Sequence, residues 1–320
     1  MAYMALGVSY IPAHLPDHIE ADMRHLAAIG CTEVLFALQE NHIYTLTGAL
    51  HYGAQIAQQA GLRPLAVIWG FANTFGGGRI SRIMLEDLDL WCQDEEDVPW
   101  AQACLNNPTL PQRFTEIAAL CREHGYTGIF IDEPTKQECF CSYCQAAFRA
   151  RYGGRLRAAK GSADYAAFRA ETVRAYVATI CRQVKALDAD LATVTCVMPR
   201  DRDMWAAIAA ISELDVLGTD PYWLLSRGHM TLEQAVADAT EAKRLAEHYG
   251  KGSQVWLNCW GIPGGLEEEI YLGGRALAAV GCDSLYTWSF RGGLGTNEAC
   301  ERPDHAWASV VRLYGELAKG

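Results

Sequence analysis

The sequence predicts a (β/α)8 TIM barrel, and three observations carry that expectation. Eight short β-rich apolar runs recur along 320 residues. A stretch with helical spacing follows each run, which is the repeat of a parallel barrel. No G-x-G-x-x-G follows the first run, so an open doubly wound sheet is the weaker choice. Half of the residues are hydrophobic, enough for the core of one large domain over residues 1–320.

The expected strands are residues 5–10, 32–38, 63–69, 127–132, 191–198, 214–220, 254–259 and 284–289, each a short run rich in β-formers. Residues 17–28 place Ile19, Met23, Leu26 and Ala27 at helical spacing, and Gly30 follows as a helix stop. Residues 232–248, 266–280 and 306–317 read as helices in the same way. Two connections exceed a minimal unit. Residues 70–110, after the third strand, read as an enlarged loop with short helices. Residues 140–187, after the fourth, read as a cysteine-bearing insertion over 139–160 and then one long helix. No internal repeat, low-complexity tract or interdomain linker interrupts the pattern.

Formal net charge is -11. That acidity excludes a nucleic-acid-binding surface, which needs clustered Lys and Arg. No segment reaches the roughly 20 apolar residues of a membrane helix. Residues 1–7 read as the approach to the first strand rather than as a leader, so the expected location is cytoplasmic. Most of the twelve cysteines stand in apolar contexts and read as small buried hydrophobes.

Barrel enzymes collect their chemistry at the C-terminal ends of strands. Applied here, that rule selects Tyr10, then Glu40 with His42, then Trp69, then Asp132 and Glu133. Arg200 follows the fifth strand, Asp220, Tyr222 and Trp223 the sixth, Asn258 and Trp260 the seventh, and Trp288 and Arg291 the eighth. Carboxylates among large aromatics suit a sugar: ring faces stack on C–H groups, and acids hold hydroxyls. Paired carboxylates also cleave glycosidic bonds, one protonating the leaving oxygen and the other attacking or activating water. Each position has a structural alternative. Asp132 or Glu133 could cap a helix, Asp220 could begin a turn before Pro221, Glu40 could be a loop acid, and any one tryptophan could be core. The acidic run Asp94-Glu95-Glu96-Asp97 reads as a solvated loop.

Cys139, Cys141 and Cys144 form C-x-C-x-x-C. With a fourth thiolate they would close a tetrahedral zinc site that braces a loop and leaves no position for substrate. Cys104 is the favoured fourth ligand, with Cys92 and Cys121 as alternatives. No H-E-x-x-H occurs, and Pro16 breaks the helix that would pair His14 with His18, so no catalytic metal is assigned. No organic cofactor is expected.

Three stretches resemble the family-42 β-galactosidases of the glycoside hydrolases. The first is Cys104-Leu105-Asn106-Asn107-Pro108. The second is Ile131-Asp132-Glu133, then Cys139-Phe140-Cys141-Ser142-Tyr143-Cys144, then Ala147-Phe148-Arg149 and Tyr152-Gly153. The third is Asp220-Pro221-Tyr222 with Tyr286-Thr287-Trp288-Ser289-Phe290-Arg291. The resemblance implies a barrel, a zinc held by Cys104, Cys139, Cys141 and Cys144, and Glu133 as the general acid/base. Two positions depart from the family. Its Asn before the acid is Asp132 here. Its nucleophile, a Glu ending the seventh strand, is missing from Asn258-Cys259-Trp260, and the next acids are Glu267, Glu268 and Glu269. Galactose specificity is therefore not carried over.

The expected activity is hydrolysis of an O-glycosidic bond in a small glycoside or oligosaccharide. Glu133 would donate the proton, and Asp220 would be the second carboxylate. Asp132 would grip a hydroxyl, or act as nucleophile with Asp220 as the acid. Glu40, Asn258 and Arg291 would bind hydroxyls, with the tryptophans as platform. The alternatives are a divalent-metal sugar isomerase or epimerase using Glu40, Asp132 and Asp220, and a barrel that binds sugars without catalysis. The expected partner is a small carbohydrate, with neither nucleic acid nor membrane. A homo-oligomer braced by the cysteine loop is left open.

Overall fold

A computed structural model describes residues 4–77, 81–224 and 230–319. The chain opens with β1 (Ala5–Tyr10), α1 (Pro16–Ala28), β2 (Glu33–Leu38), α2 (Glu40–Tyr44), α3 (Gly48–Gln59) and β3 (Arg63–Ile68). An excursion follows, containing α4 (Arg82–Glu86) and a hairpin of β4 (Trp91–Gln93) and β5 (Pro99–Ala103). Next come α5 (Thr109–Glu123), β6 (Gly128–Ile131), α6 (Ser142–Tyr152) and α7 (Ala163–Leu187). The rest alternates: β7 (Ala192–Val197), α8 (Arg202–Ala209), β8 (Val216–Thr219), α9 (Leu232–His248), β9 (Gly252–Asn258), α10 (Glu267–Ala279), β10 (Ser284–Trp288) and α11 (Pro303–Leu317).

Eight strands close into one barrel in the order β1-β10-β9-β8-β7-β6-β3-β2. Every neighbour pair is parallel, and the ring closes where Ala5 faces Ser284. Two-residue alternation sorts the side chains. Leu35, Ala37, Leu65, Val67, Val194 and Cys196 point inward and fill the barrel. Val34, Phe36 and Leu38 point outward, under the helices. Gly30 takes φ 98° just past α1, as the expected helix stop requires.

One expectation is corrected. Residues 70–110 include an antiparallel hairpin as well as short helices. Its strands are three and five residues long and one begins with Pro99, so no alternation marks them. The acidic run makes its turn: Asp94 Oδ1 accepts from the Glu96 and Val98 amides. The second excursion carries the short helix α6 inside the cysteine-bearing insertion, ended by Gly153 at φ 74°, and then the one long helix expected, α7. Phe140, Phe148, Leu156, Tyr165 and Phe168 pack with Cys92 and the cysteine motif into a separate small core. None of the described helices is long and apolar enough to cross a membrane.

Candidate active site

A cavity of about 200 Å3 opens at the C-terminal ends of the strands. Asp132 and Glu133 reach it from the end of β6, and Asp220 from the end of β8. Trp69, Tyr222, Trp256, Trp260 and Trp288 form its aromatic walls. Glu133 has φ 39°, the left-handed region that a side chain adopts only under constraint. Gly76 lies against both β6 acids. A Cβ there would stand 2.4 Å from Asp132 Oδ2 and 2.9 Å from Glu133 Oε2, so any side chain would displace them.

The electrostatics follow from crowding. Asp220 is 4% exposed, and its Oδ1 has no hydrogen-bond partner. Burial first, then the charge of Glu133 and a hydrogen bond to it, pushes the Asp220 carboxyl well above the usual carboxylate range. Asp132 is pushed up in the same way, by burial and then by Glu133. Burial likewise raises the Cys196 thiol and the Tyr222 hydroxyl beside them. Like charges in a confined site oppose one another's ionisation, which adds to the effect of burial.

The indoles are interlocked. Trp69 and Trp288 meet with ring centroids 5.2 Å apart at 60°. Trp256 stands 6.2 Å from Trp288, and its Nε1 donates to Gln254 Oε1 at 2.8 Å. Trp260 meets Tyr222 at 6.3 Å, and its Nε1 is buried without a partner. A second chamber of about 310 Å3 adjoins the first, sharing Trp69, Trp260, Trp288 and Glu298.

Seven sequence-selected residues therefore line one cavity: Asp132, Glu133, Asp220, Trp69, Tyr222, Trp260 and Trp288. The others do not, each for a visible reason. Tyr10 is core, its hydroxyl donating to Asp22 Oδ2 at 2.8 Å. Glu40 is 6% exposed and accepts from Ala72 N, Ser81 Oγ and Ile83 N at 3.1, 2.6 and 3.0 Å, which ties down the loop after β3. His42 is buried against His14, and its Nδ1 accepts from Gln39 N at 2.9 Å. Burial and His14 push that imidazole down to about 4. Arg200 is exposed beside Asp201. Trp223 packs on Gly273 of α10. Asn258 is fully buried and shapes the turn by accepting from Trp260 N at 3.1 Å. Arg291 is exposed and lies over Phe290.

Trp256, Cys196, Gly76 and Glu298 were not selected. Trp256 and Cys196 lie one pleat below the strand ends, so two-residue alternation could have found them. Glu298 comes from the long connection after β10 and carries no local signal.

The sulfur atoms of Cys104, Cys139, Cys141 and Cys144 all lie within 4.8 Å of one another, and all four residues are buried. Cys104 Sγ is 3.4 Å from both Cys141 Sγ and Cys144 Sγ. Tetrahedral thiolates about 2.3 Å from zinc would stand about 3.8 Å apart, so the set fits such an ion. Asn106 Nδ2 donates to Cys144 Sγ at 3.2 Å, a contact that suits a metal-bound thiolate. Of the two alternatives, Cys92 lies beside the cluster and Cys121 lies in the main core. All twelve cysteines are buried and none is in a disulfide.

No family model and no curated protein sequence matches the chain. Solved structures do match it. The polyextremophilic β-galactosidase from the Antarctic haloarchaeon Halorubrum lacusprofundi matches over 98% of this chain and 58% of its own, at TM-score 0.78 and 18% identity. A GH42 β-galactosidase from G. stearothermophilus matches over 100% of this chain and 57% of its own, at 0.73 and 14%. The catalytic domain of β-amylase from Paenibacillus polymyxa matches over 100% and 99%, at 0.67 and 11%. The chain thus spans a little over half the length of the β-galactosidases it matches. What these likenesses establish is a (β/α)8 barrel with the fold of glycoside hydrolases, β-galactosidases among them.

Proposed function

We propose that the protein hydrolyses an O-glycosidic bond in a small glycoside or oligosaccharide. One observation carries the reading: four carboxyl groups, those of Asp132, Glu133, Asp220 and Glu298, and several indoles converge on one cavity at the C-terminal end of the barrel. The indole faces hold the ring. Glu133 protonates the leaving oxygen as the C–O bond breaks. Asp220, hydrogen-bonded to Glu133, keeps that proton in the site and shares the one returned by the attacking water. Asp132, held neutral by burial and by Glu133, grips a ring hydroxyl as both donor and acceptor. That is the part the family's Asn would play, so the departure at this position preserves the hydrogen-bonding shape. A zinc on Cys104, Cys139, Cys141 and Cys144 would have a closed coordination sphere and supply bracing without chemistry.

The metal-dependent isomerase is less well supported, because Glu40 is committed to Ala72, Ser81 and Ile83 rather than to the cavity. Substituting the acid separates hydrolase from non-catalytic binder. Glu133→Gln is expected to lower turnover of alkyl glycosides and oligosaccharides roughly a thousandfold. It should leave kcat/KM for 2,4-dinitrophenyl glycosides, whose leaving group needs no proton, little changed. Full activity of that variant on alkyl glycosides would remove Glu133 from the role. A wild type inert toward every glycoside tried would favour the binder.

A further inference from the structure

On the hydrolase reading, a carboxylate must stand across the sugar from the acid. The residues so far assigned cannot supply it. Glu133 and Asp220 are hydrogen-bonded to each other. Asp132 Oδ2 and Glu133 Oε2 crowd the same point over Gly76. These three acids share one wall, whereas glycosidase carboxyls flank the ring about 5–9.5 Å apart. The end of β9 has no acid, only Asn258, Cys259 and Trp260.

The barrel order shows where the missing group can enter. Counting either way around the ring, β10 is the fourth strand from β6, diametrically opposite the strand that delivers Glu133. The connection after β10 brings Glu298 to the same cavity. Its main chain is anchored: the Gly261 amide donates to Glu298 O at 2.8 Å, and the Glu298 amide donates to Thr296 Oγ1 at 3.2 Å. Gly261 follows Trp260, so this bond ties Glu298 to the aromatic wall.

We propose that Glu298 is the catalytic nucleophile. Its carboxylate oxygen forms a bond to the anomeric carbon as the glycosidic C–O bond breaks. The bonding pair leaves with the aglycone oxygen, which takes the proton of Glu133. Water then attacks the glycosyl ester, gives one proton to Glu133 and releases the Glu298 carboxylate. The product keeps the anomeric configuration of the substrate.

Two measurements test this on the whole chain. The wild type is treated with 2-deoxy-2-fluoro dinitrophenyl glycosides of galactose, glucose, mannose and xylose, and the labelled peptide is mapped by mass spectrometry. The label is expected on Glu298; a label on Asp132, Asp220 or another carboxylate overturns the assignment. Separately, Glu298→Ala is assayed on the matching dinitrophenyl glycosides with and without azide. Turnover should fall on the order of a thousandfold or more, and azide should restore it with release of a glycosyl azide, which a residue of structural role would not allow. Turnover within about tenfold of wild type, a loss that azide does not repair, or an inverted wild-type product overturns it. If the wild type cleaves none of these glycosides, the hydrolase reading itself falls and this assignment falls with it.

Discussion

Asp220 stands close enough to Glu133 that, after burial, the charge of Glu133 and a hydrogen bond to it push the Asp220 carboxyl well above the usual carboxylate range. On the proposed reading, this places Asp220 beside the acid rather than across the sugar from it.

The same contact has a thermodynamic cost. The Asp220 carboxyl titrates well above its ordinary 3.8 in the folded chain. Between those values the native state binds more protons than the unfolded state, so stability falls as pH rises through that window. Asp220→Asn should therefore be the more stable protein near neutral pH, by about 2 °C or more in Tm. The advantage should disappear below about pH 4, where both forms are neutral. Thermal unfolding at several pH values checks this, and a pH-independent difference would contradict it.

Asp132 is also pushed well above the usual carboxylate range, and a protonated carboxyl has nearly the shape and hydrogen-bonding capacity of a carboxamide. Asp132→Asn should keep kcat/KM within about tenfold, whereas Asp132→Ala should lose about a hundredfold or more. Equal losses in the two variants would mean that the ionised form is required.

Glu40 illustrates a buried acid used for structure. Its carboxylate accepts three hydrogen bonds from the loop after β3, which carries the Gly76 and Gly77 wall of the site. Glu40→Ala leaves those donors without a partner and should cost roughly 2–4 kcal/mol in urea denaturation. KM should rise as the loop loosens. A stability change under about 0.5 kcal/mol would refute the clamp.

Elemental analysis should find about one zinc per chain, held by the four converging thiolates. Chelation should lower Tm while leaving turnover at 25 °C within about twofold, because a closed site takes no part in the reaction. Complete loss of turnover in a chain that remains folded would place the metal in the chemistry.

The barrel was legible because its strands are two-sided. Runs such as 33–38 and 63–68 are apolar on both faces, one for the barrel interior and one for the helices, and such runs stand out without alternation. The cysteine motif was legible because ligand spacing is local. The hairpin at 91–103 was not, since strands this short carry no periodic signal.

The strand-end rule picked Asp132, Glu133 and Asp220, which line the cavity, and also Tyr10, Glu40 and Arg291, which do not. All six sit at the right height on the barrel. Height is set by position along the strand, which the sequence displays. Whether a side chain turns into the mouth or out toward the helices depends on backbone torsions and packing just beyond the last ladder bond, as with Glu133 at φ 39°. Local pattern alone thus determined the barrel, the thiol motif and the level of the site. Only three-dimensional packing decided which acids meet, and that Glu298 joins them from a connection with no marking of its own. Such meetings depend on contacts between residues far apart in the chain, and those leave no period in the sequence.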